Sequence, residues 1–205
     1  IYHQVVWKTQ LSSFDKTGIN SDIFFSEGSL FAIHHKLMPF RVRSVVLIAS
    51  LYDYFMMEED GRMTQLLNET YSRWNLGYVP ELLRVNNAAD AVDLYKHKSF
   101  DLVVMMLPPD QTETRGNLAD LKMKMSGVPV VVLAHSSHDA AKFSFGTRSL
   151  PYDYLFVWHG DGDIIVSIIA FIEDSMNAPS DTELAGLQNL LVIEPSPEMF
   201  SVYLP

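Results

Sequence analysis

Short runs of apolar, β-branched residues recur along the chain, and segments with apolar residues at helical spacing separate them. The first run, SVVLIA at 44–49, predicts a strand. A continuous apolar run of this length is typical of a parallel strand that helices cover on both faces. Similar runs predict further strands at 81–85, 101–107, 130–134 and 153–158.

The segments between these runs carry the spacing of amphipathic helices. After the first strand, apolar side chains recur at Leu66, Leu67, Tyr71 and Trp74, and Asn86 or Asn87 is placed to cap the next helix. Further helices are predicted near 116–125, 138–145 and 161–177. Strict alternation of strand and helix predicts an α/β fold with a doubly wound, five-stranded parallel sheet. Any ligand site should then lie beyond the carboxyl ends of the strands.

Composition and charge narrow the classes of partner. Hydrophobic residues make up 48% of the 205 residues, which is typical of a folded domain. The formal charge of -10 disfavours nucleic acid and anionic membranes as partners, and the apolar runs are too short to span a bilayer. The chain has no Cys, so disulfides and thiolate metal sites are excluded. These features favour the cytoplasm.

Three strand-ending motifs, DLVVMMLPP, VPVVVLAHSS and DYLFVWHGD, follow one another in the order found in a known family. With the strand and helix rhythm, residues 41–177 resemble the receiver domain of two-component response regulators. The resemblance implies a flavodoxin-like sheet with the strand order 2-1-3-4-5. In that family an acidic pair after strand 1 holds Mg²⁺, an Asp ending strand 3 accepts the phosphoryl group, and a Ser or Thr and a Lys end strands 4 and 5.

The resemblance places these roles on residues that cannot perform them. The acidic pair falls on Ala49 and Ser50, the acceptor on Met106, the hydroxyl on Ala134 and the Lys on Val157. A carboxylate nucleophile needs a cation and hydrogen-bond donors to stabilise the transferred phosphate. We therefore expect a pseudo-receiver that is not phosphorylated on Asp and has no cofactor or metal. The next acid after Met106 is Asp110, and a covalent adduct there would contradict this expectation.

The flanking segments carry a second resemblance. SLYDYFMMEEDGRMTQLLNETYSRWNLGYVPELL and GLQNLLVIEPSPEMFSVYLP are similar to the N-terminal region of proteins related to phosphoenolpyruvate synthase and pyruvate phosphate dikinase. The resemblance implies a parent phosphotransferase whose catalytic groups lie in other domains. It divides the chain into an extension without assigned structure at 1–40, apart from a helix considered near 28–36, the pseudo-receiver at 41–177, a linker at 178–188, and the first strand and helix start of a second receiver-like module at 189–205.

A few side chains near the predicted strand ends are candidates for a site. His135 follows strand 4, and Trp158 and His159 follow strand 5, so they should lie near one another at the carboxyl edge. With His138 they suggest an imidazole metal site, although loop histidines are more often simply exposed. Trp158 either fills the vacated pocket or contacts a partner. The acids at 58–60 suggest a cation site, or helix-start residues that interact with the macrodipole.

Three hypotheses for function follow. The first is a non-catalytic regulatory or protein-interaction module that contacts other domains of its parent protein or a second copy of itself. The second is direct participation in phosphotransfer by binding ATP or phosphoenolpyruvate, although the sequence has neither GxxxxGK(S/T) nor GxGxxG. The third is a small molecule bound in the former phosphorylation pocket.

Overall fold

The computed structural model describes residues 3–8, 37–58, 62–73, 78–144, 151–160, 162–185, 189–194 and 196–203. The strands are β1 (His3–Lys8), β2 (Ser44–Ile48), β3 (Glu81–Val85), β4 (Leu102–Met106), β5 (Val130–Ala134), β6 (Tyr154–Val157) and β7 (Asn189–Glu194). The helices are α1 (Leu51–Glu58), α2 (Arg62–Arg73), α3 (Ala88–Tyr95), α4 (Thr114–Lys124), α5 (Ser137–Ser144), α6 (Asp163–Ala185) and α7 (Pro197–Tyr203).

The central sheet has five parallel strands in the order β3-β2-β4-β5-β6. Numbered from β2 as the first strand, this is the order 2-1-3-4-5. Every residue of β2, β4 and β5 is buried, because helices cover both faces of the sheet. The predicted fold class, a doubly wound flavodoxin-like sheet, is confirmed.

Alternate residues of each strand enter two separate apolar cores, as the two-residue period of a strand requires. One core joins Leu47, Met106 and Phe156 to α2 and α6. The other joins Ile48 and Val132 to α3, α4 and α5. The strands therefore carry almost no polar side chains, and this is why their positions were predictable from apolar runs alone.

The segment after β2 forms two helices, α1 and α2, where the apolar spacing had indicated a helix only over the second. Glu58, predicted in an early helical turn, is instead the last residue of α1. The two other acids of that group, and Trp74, lie outside the described residues. Both helices approach Gly162 closely: a Cβ at Gly162 would lie 2.8 Å from the carbonyl oxygen of Met57 on α1 and 3.0 Å from the Cβ of Met63 on α2.

Helix α6 runs to Ala185, so the first eight residues of the linker predicted at 178–188 are helical. The added turns are held by a row of buried polar side chains on one face of the helix. Glu173 accepts a hydrogen bond from Val42 N–H at 2.8 Å, and Asp181 accepts from Met38 N–H at 3.0 Å. Turn formers in the sequence suggested a break, but these tertiary contacts keep the segment helical.

Between those two contacts, Asn177 binds both backbone groups of Phe40, its Oδ1 accepting from the N–H and its Nδ2 donating to the carbonyl, each at 2.8 Å. The three side chains are spaced four residues apart on the helix, a rise of about 6 Å, and they bind backbone groups two residues apart on the facing segment. Two residues of extended chain span slightly more than about 6 Å, so the two spacings match over this short distance. We call Glu173, Asn177 and Asp181 the α6 polar row. It fixes the segment that leads into β2.

The two elements of the C-terminal segment contact different parts of the chain. Strand β7 pairs antiparallel with β1, from His3 opposite Glu194 to Lys8 opposite Asn189, and β1 had not been predicted as a strand. Helix α7 packs against β6, where the Phe200 ring stacks on Phe156 with centroids 5.3 Å apart. The helix considered at 28–36 lies outside the described residues, and the prediction that 189–205 opens a second module stays a prediction. Within the described ranges, none of the helices has the length and apolar character needed to cross a membrane.

Candidate functional site

A cleft of about 660 Å³ opens at the carboxyl edge of the central sheet, where doubly wound folds bind ligands. The ends of β2 and β4 form its floor, and the start of α1, the start of α3 and the loops after β4, β5 and β6 form its walls. The side chains that line it are Ile48, Ala49, Ser50, Tyr52, Asp53, Met56, Asn86, Asn87, Ala88, Met105, Met106, Pro108, Pro109, Asn117, His135 and Trp158.

The positions that resemble the receiver's phosphorylation site are apolar or small at this edge. Ala49 and Met106 line the cleft and are 3% and 4% exposed. Both belong to the core shared with α2 and α6. Ala134 and Val157 are buried in the opposite core and do not line the cleft. These four side chains extend the two cores to the sheet edge.

Ser50, the remaining position of that set, begins helix α1. Its Oγ accepts a hydrogen bond from the backbone N–H of Asp53 at 3.0 Å, and its hydroxyl donates to Asp53 Oδ2 at 2.7 Å. The first contact is that of a helix N-cap, and in the second the Asp53 carboxylate binds the capping hydroxyl and not the backbone N–H that a capping box would use. Ser50 therefore has a helix-starting role that needs no metal.

Asp53 is the carboxylate that the sequence analysis missed. Its Oδ1 lies 3.6 Å from His135 Nε2, and the Asp53 side chain is 16% exposed inside the cleft. The distance is beyond hydrogen-bonding range, so Oδ1 has no hydrogen-bond partner among the described residues. The sequence does contain an indication of this carboxylate. Ser50 and Asp53 have the spacing of a helix N-cap, which would hold the acid near the end of β2.

Two of the three aromatic candidates come together. The rings of His135 and Trp158 lie 6.1 Å apart at a tilt of 59°, and both line the cleft. The backbone N–H of Trp158 donates to the Ala134 carbonyl at 2.8 Å, which extends the pairing of β5 and β6 by one residue and fixes the indole at the rim. His159 and His138 are exposed and lie outside the lining.

The charge of the cleft is unlike that of a phosphate site. None of the described residues that line it is Lys or Arg. Arg84 lies at the rim on β3, where its Nη1 donates to the Ala49 carbonyl at 3.1 Å and to Asn86 Oδ1 at 2.9 Å. The Asp53 carboxylate would repel a phosphoryl group bound in the cleft, and no cation among the lining residues would offset this repulsion.

The nearest acid after Met106 also has a local partner. Asp110 is exposed in the loop after β4 and outside the cleft lining. Hydrogen bonds from the hydroxyl and backbone N–H of Thr112 hold the pKa of Asp110 below its usual range. Across the part of the chain that the structure describes, no three His, Asp or Glu side chains gather closely enough to hold a metal ion.

The sequence matches no protein-family model and no curated protein. Among solved structures, the chain is similar to a LuxR-family two-component response regulator from Aurantimonas sp. SI85-9A1 (16% identity, 72% of this chain and 97% of that chain, TM-score 0.45). It is also similar to the anti-anti-sigma factor PhyR from Bartonella quintana (11% identity, 79% of this chain and 57% of that chain, TM-score 0.45). A third similar structure is a CheY-like response regulator receiver domain from Methylobacillus flagellatus (13% identity, 63% of this chain and 99% of that chain, TM-score 0.38). Similarity at this level carries no functional conclusion, and the assignment of the fold rests on the strand order of this chain itself.

Proposed function

We propose that this chain is a non-catalytic pseudo-receiver that acts as a regulatory or protein-interaction module and is not phosphorylated on Asp. The observation that carries the proposal is Met106, which stands at the end of β4 in the place of the phosphoryl acceptor and is 4% exposed. A thioether is not a nucleophile toward phosphoryl donors in the way a carboxylate is. The fold is retained while the groups needed for its usual chemistry are replaced.

The other strand ends support the same proposal. Ala49 and Ala134 supply neither the carboxylate that would hold Mg²⁺ nor the hydroxyl that would contact the phosphoryl oxygens. Val157 is 2% exposed and cannot supply a cation. Because all of these positions have changed in the same direction, toward core-forming residues, reversing any one of them would not restore the site.

An exposed apolar face on α1 supports action through protein contacts. Leu51, Tyr52, Phe55 and Met56 are 53%, 71%, 63% and 47% exposed. Adjacent exposed apolar side chains of this size are more typical of an interaction surface than of a solvated helix. The proposed partner is another domain of the same polypeptide, in a protein related to phosphoenolpyruvate synthase or pyruvate phosphate dikinase, as the flanking sequence resembles. Direct binding of ATP or phosphoenolpyruvate gains no support from a cleft whose lining lacks Lys and Arg.

The experiment that tests the proposal is removal of residues 41–185 from the complete protein. We expect catalytic activity to persist while its regulation or its assembly changes, measured by steady-state kinetics and by light scattering. A second variant keeps the module and replaces Phe55 with Ser, which should reproduce the change in regulation or assembly if the α1 face makes the contact. Unchanged kinetics and assembly after removal would contradict a regulatory or interaction role, and loss of ATP binding measured by calorimetry would favour the phosphotransfer alternative.

A further inference from the structure

We infer that the cleft at the carboxyl edge of the sheet binds a small organic cation, an amine attached to an aromatic or aliphatic body. The inference goes beyond the regulatory role proposed above, because it concerns a ligand, although Tyr52 and Met56 belong both to the cleft and to the exposed face of α1. It rests on the shape, lining and charge of the cleft.

The floor and one wall of the cleft suit an apolar body. Met105 and Met106 are 5% and 4% exposed at the strand ends and present thioethers, which adapt to the shape of a ligand. Tyr52, Met56 and Trp158 line the same space. A volume of about 660 Å³ is within the range of small-molecule sites, which pair an apolar lining with a few placed polar groups.

The polar end of the cleft suits a cation. Asp53 Oδ2 accepts the Ser50 hydroxyl at 2.7 Å, which fixes the orientation of the carboxylate. Its Oδ1 has the His135 imidazole 3.6 Å away and no hydrogen-bond partner among the described residues, so it is open to a donor. A protonated amine on this oxygen makes a charge-assisted hydrogen bond. The indole of Trp158 lies beside His135 and lines the same cleft, and aromatic faces attract cations.

Two other polar side chains of the cleft, Asn86 and Asn87, already bind neighbouring residues. Asn87 caps α3, its Oδ1 accepting from Asp90 N–H at 2.9 Å and its Nδ2 donating to Asp90 Oδ2 at 3.0 Å. Asn86 Oδ1 accepts from Arg84. Asp53 is the carboxylate among the residues that line the cleft, whereas the cation of Arg84 is held at the rim by Ala49 and Asn86. A net charge of -10 adds a field of the same sign as Asp53. Nucleotides and other anions are disfavoured by the same arrangement.

The test is isothermal titration calorimetry of the whole chain with three indole probes that share one ring system. Tryptamine carries a protonated amine, tryptophol a neutral hydroxyl and indole-3-propionate a carboxylate. We expect tryptamine to bind with a Kd of about 1 mM or tighter. Tryptophol should bind about tenfold more weakly, and indole-3-propionate should bind more weakly still.

Two variants distinguish the cleft from general attraction to an acidic protein. Asp53→Asn should weaken tryptamine binding about tenfold and leave tryptophol binding unchanged. Asp120→Asn removes an exposed acid on α4 and should change neither. Absence of tryptamine binding, equal binding of the anionic probe, or equal loss in both variants would overturn the inference. Trp158→Ala checks the aromatic wall and should weaken all three probes.

Discussion

The backbone N–H of Val157 donates a hydrogen bond to the Ser201 hydroxyl oxygen at 2.7 Å. Val157 ends β6, the edge strand of the central sheet, and Ser201 lies on α7 and is 1% exposed. The backbone N–H of Val157 faces away from β5, and the contact gives it a partner that no neighbouring strand supplies. The same contact holds α7 against the central sheet. An uncovered edge would offer a template for pairing with other chains.

Ser201→Ala should therefore destabilise the fold, because it leaves the buried N–H of Val157 without this partner. We expect the free energy of unfolding to fall by about 1–3 kcal/mol, measured by urea denaturation. The control is Ser126→Ala in the exposed turn after α4, which should change the free energy of unfolding by less than about 0.5 kcal/mol. Equal effects of the two substitutions would refute the role assigned to Ser201.

Met106→Asp tests whether the end of β4, which we propose stands in the place of a phosphoryl acceptor, is part of the core. The substitution puts a carboxylate at a site that is 4% exposed, so we expect a loss of about 2 kcal/mol or more. Met106→Leu keeps volume and polarity and should cost less than about 1.5 kcal/mol. Met123→Asp, at a side chain that is 70% exposed, serves as the matched control. If Met106→Asp were as mild as Met123→Asp, the strand end would still be suited to an acid.

Glu173→Gln tests the buried carboxylate of the α6 polar row through pH. Burial raises the pKa of Glu173 from its ordinary value of 4.5, against the lowering effect of the Val42 N–H and Arg41. For a raised pKa, the stabilising contribution is fully present below the unfolded pKa and is lost as pH rises through the folded pKa. The unfolding free energy of wild type relative to Glu173→Gln should thus fall as pH rises above about 4.5, by at most about 1.4 kcal/mol per pH unit.

The control for this titration is Glu183→Gln, an exposed position on the same helix. Its difference from wild type should stay nearly constant over the same pH range in thermal and urea denaturation. A Glu173→Gln difference that is flat, or that increases with pH, would mean that burial does not dominate at Glu173.

Gly162→Ala tests the close approach of the loop after β6 to the junction of α1 and α2. The new Cβ would lie 2.8 Å from the Met57 carbonyl oxygen, and we expect a loss of about 1–3 kcal/mol. Gly116→Ala on α4 meets no atom within 4 Å and should stabilise the protein by about 0.5–1 kcal/mol. A neutral Gly162→Ala in the same denaturation assay would show that the junction yields to make room.

The central sheet was predictable because each strand enters two cores, so its sequence is a continuous apolar run. Contacts between distant parts of the chain were not predictable in this way. The linker at 178–188 was predicted from Pro179 and its polar neighbours, yet Asn177 and Asp181 bind the backbone 137 and 143 residues earlier and keep the segment helical. A strand had been predicted at the start of 189–205, where β7 lies, but β1 and its pairing with β7 had not, because no local pattern in the sequence indicates which strands pair across such a distance.

The cleft, like the fold, has residues that could be placed from the sequence and others that could not. Ala49, Met106 and Trp158 were placed at the carboxyl edge from their strand positions, and the structure puts all three in the cleft lining. Asp53 was missed because it lies on a helix and not at a strand end. His159 was grouped with His135 from its position after a strand, but one residue beyond Trp158 the chain turns outward and His159 is exposed.

The central claim is that this receiver fold accepts no phosphoryl group, and intact-mass spectrometry after incubation with acetyl phosphate and Mg²⁺ tests it most directly. A phosphorylatable receiver domain in the same buffer shows that the reagent is active. We predict that the mass of this chain stays unchanged while the receiver gains one phosphoryl group. A stoichiometric phosphoryl adduct on this chain, mapped to Asp110 or Asp53 and lost on treatment with hydroxylamine, would contradict the account.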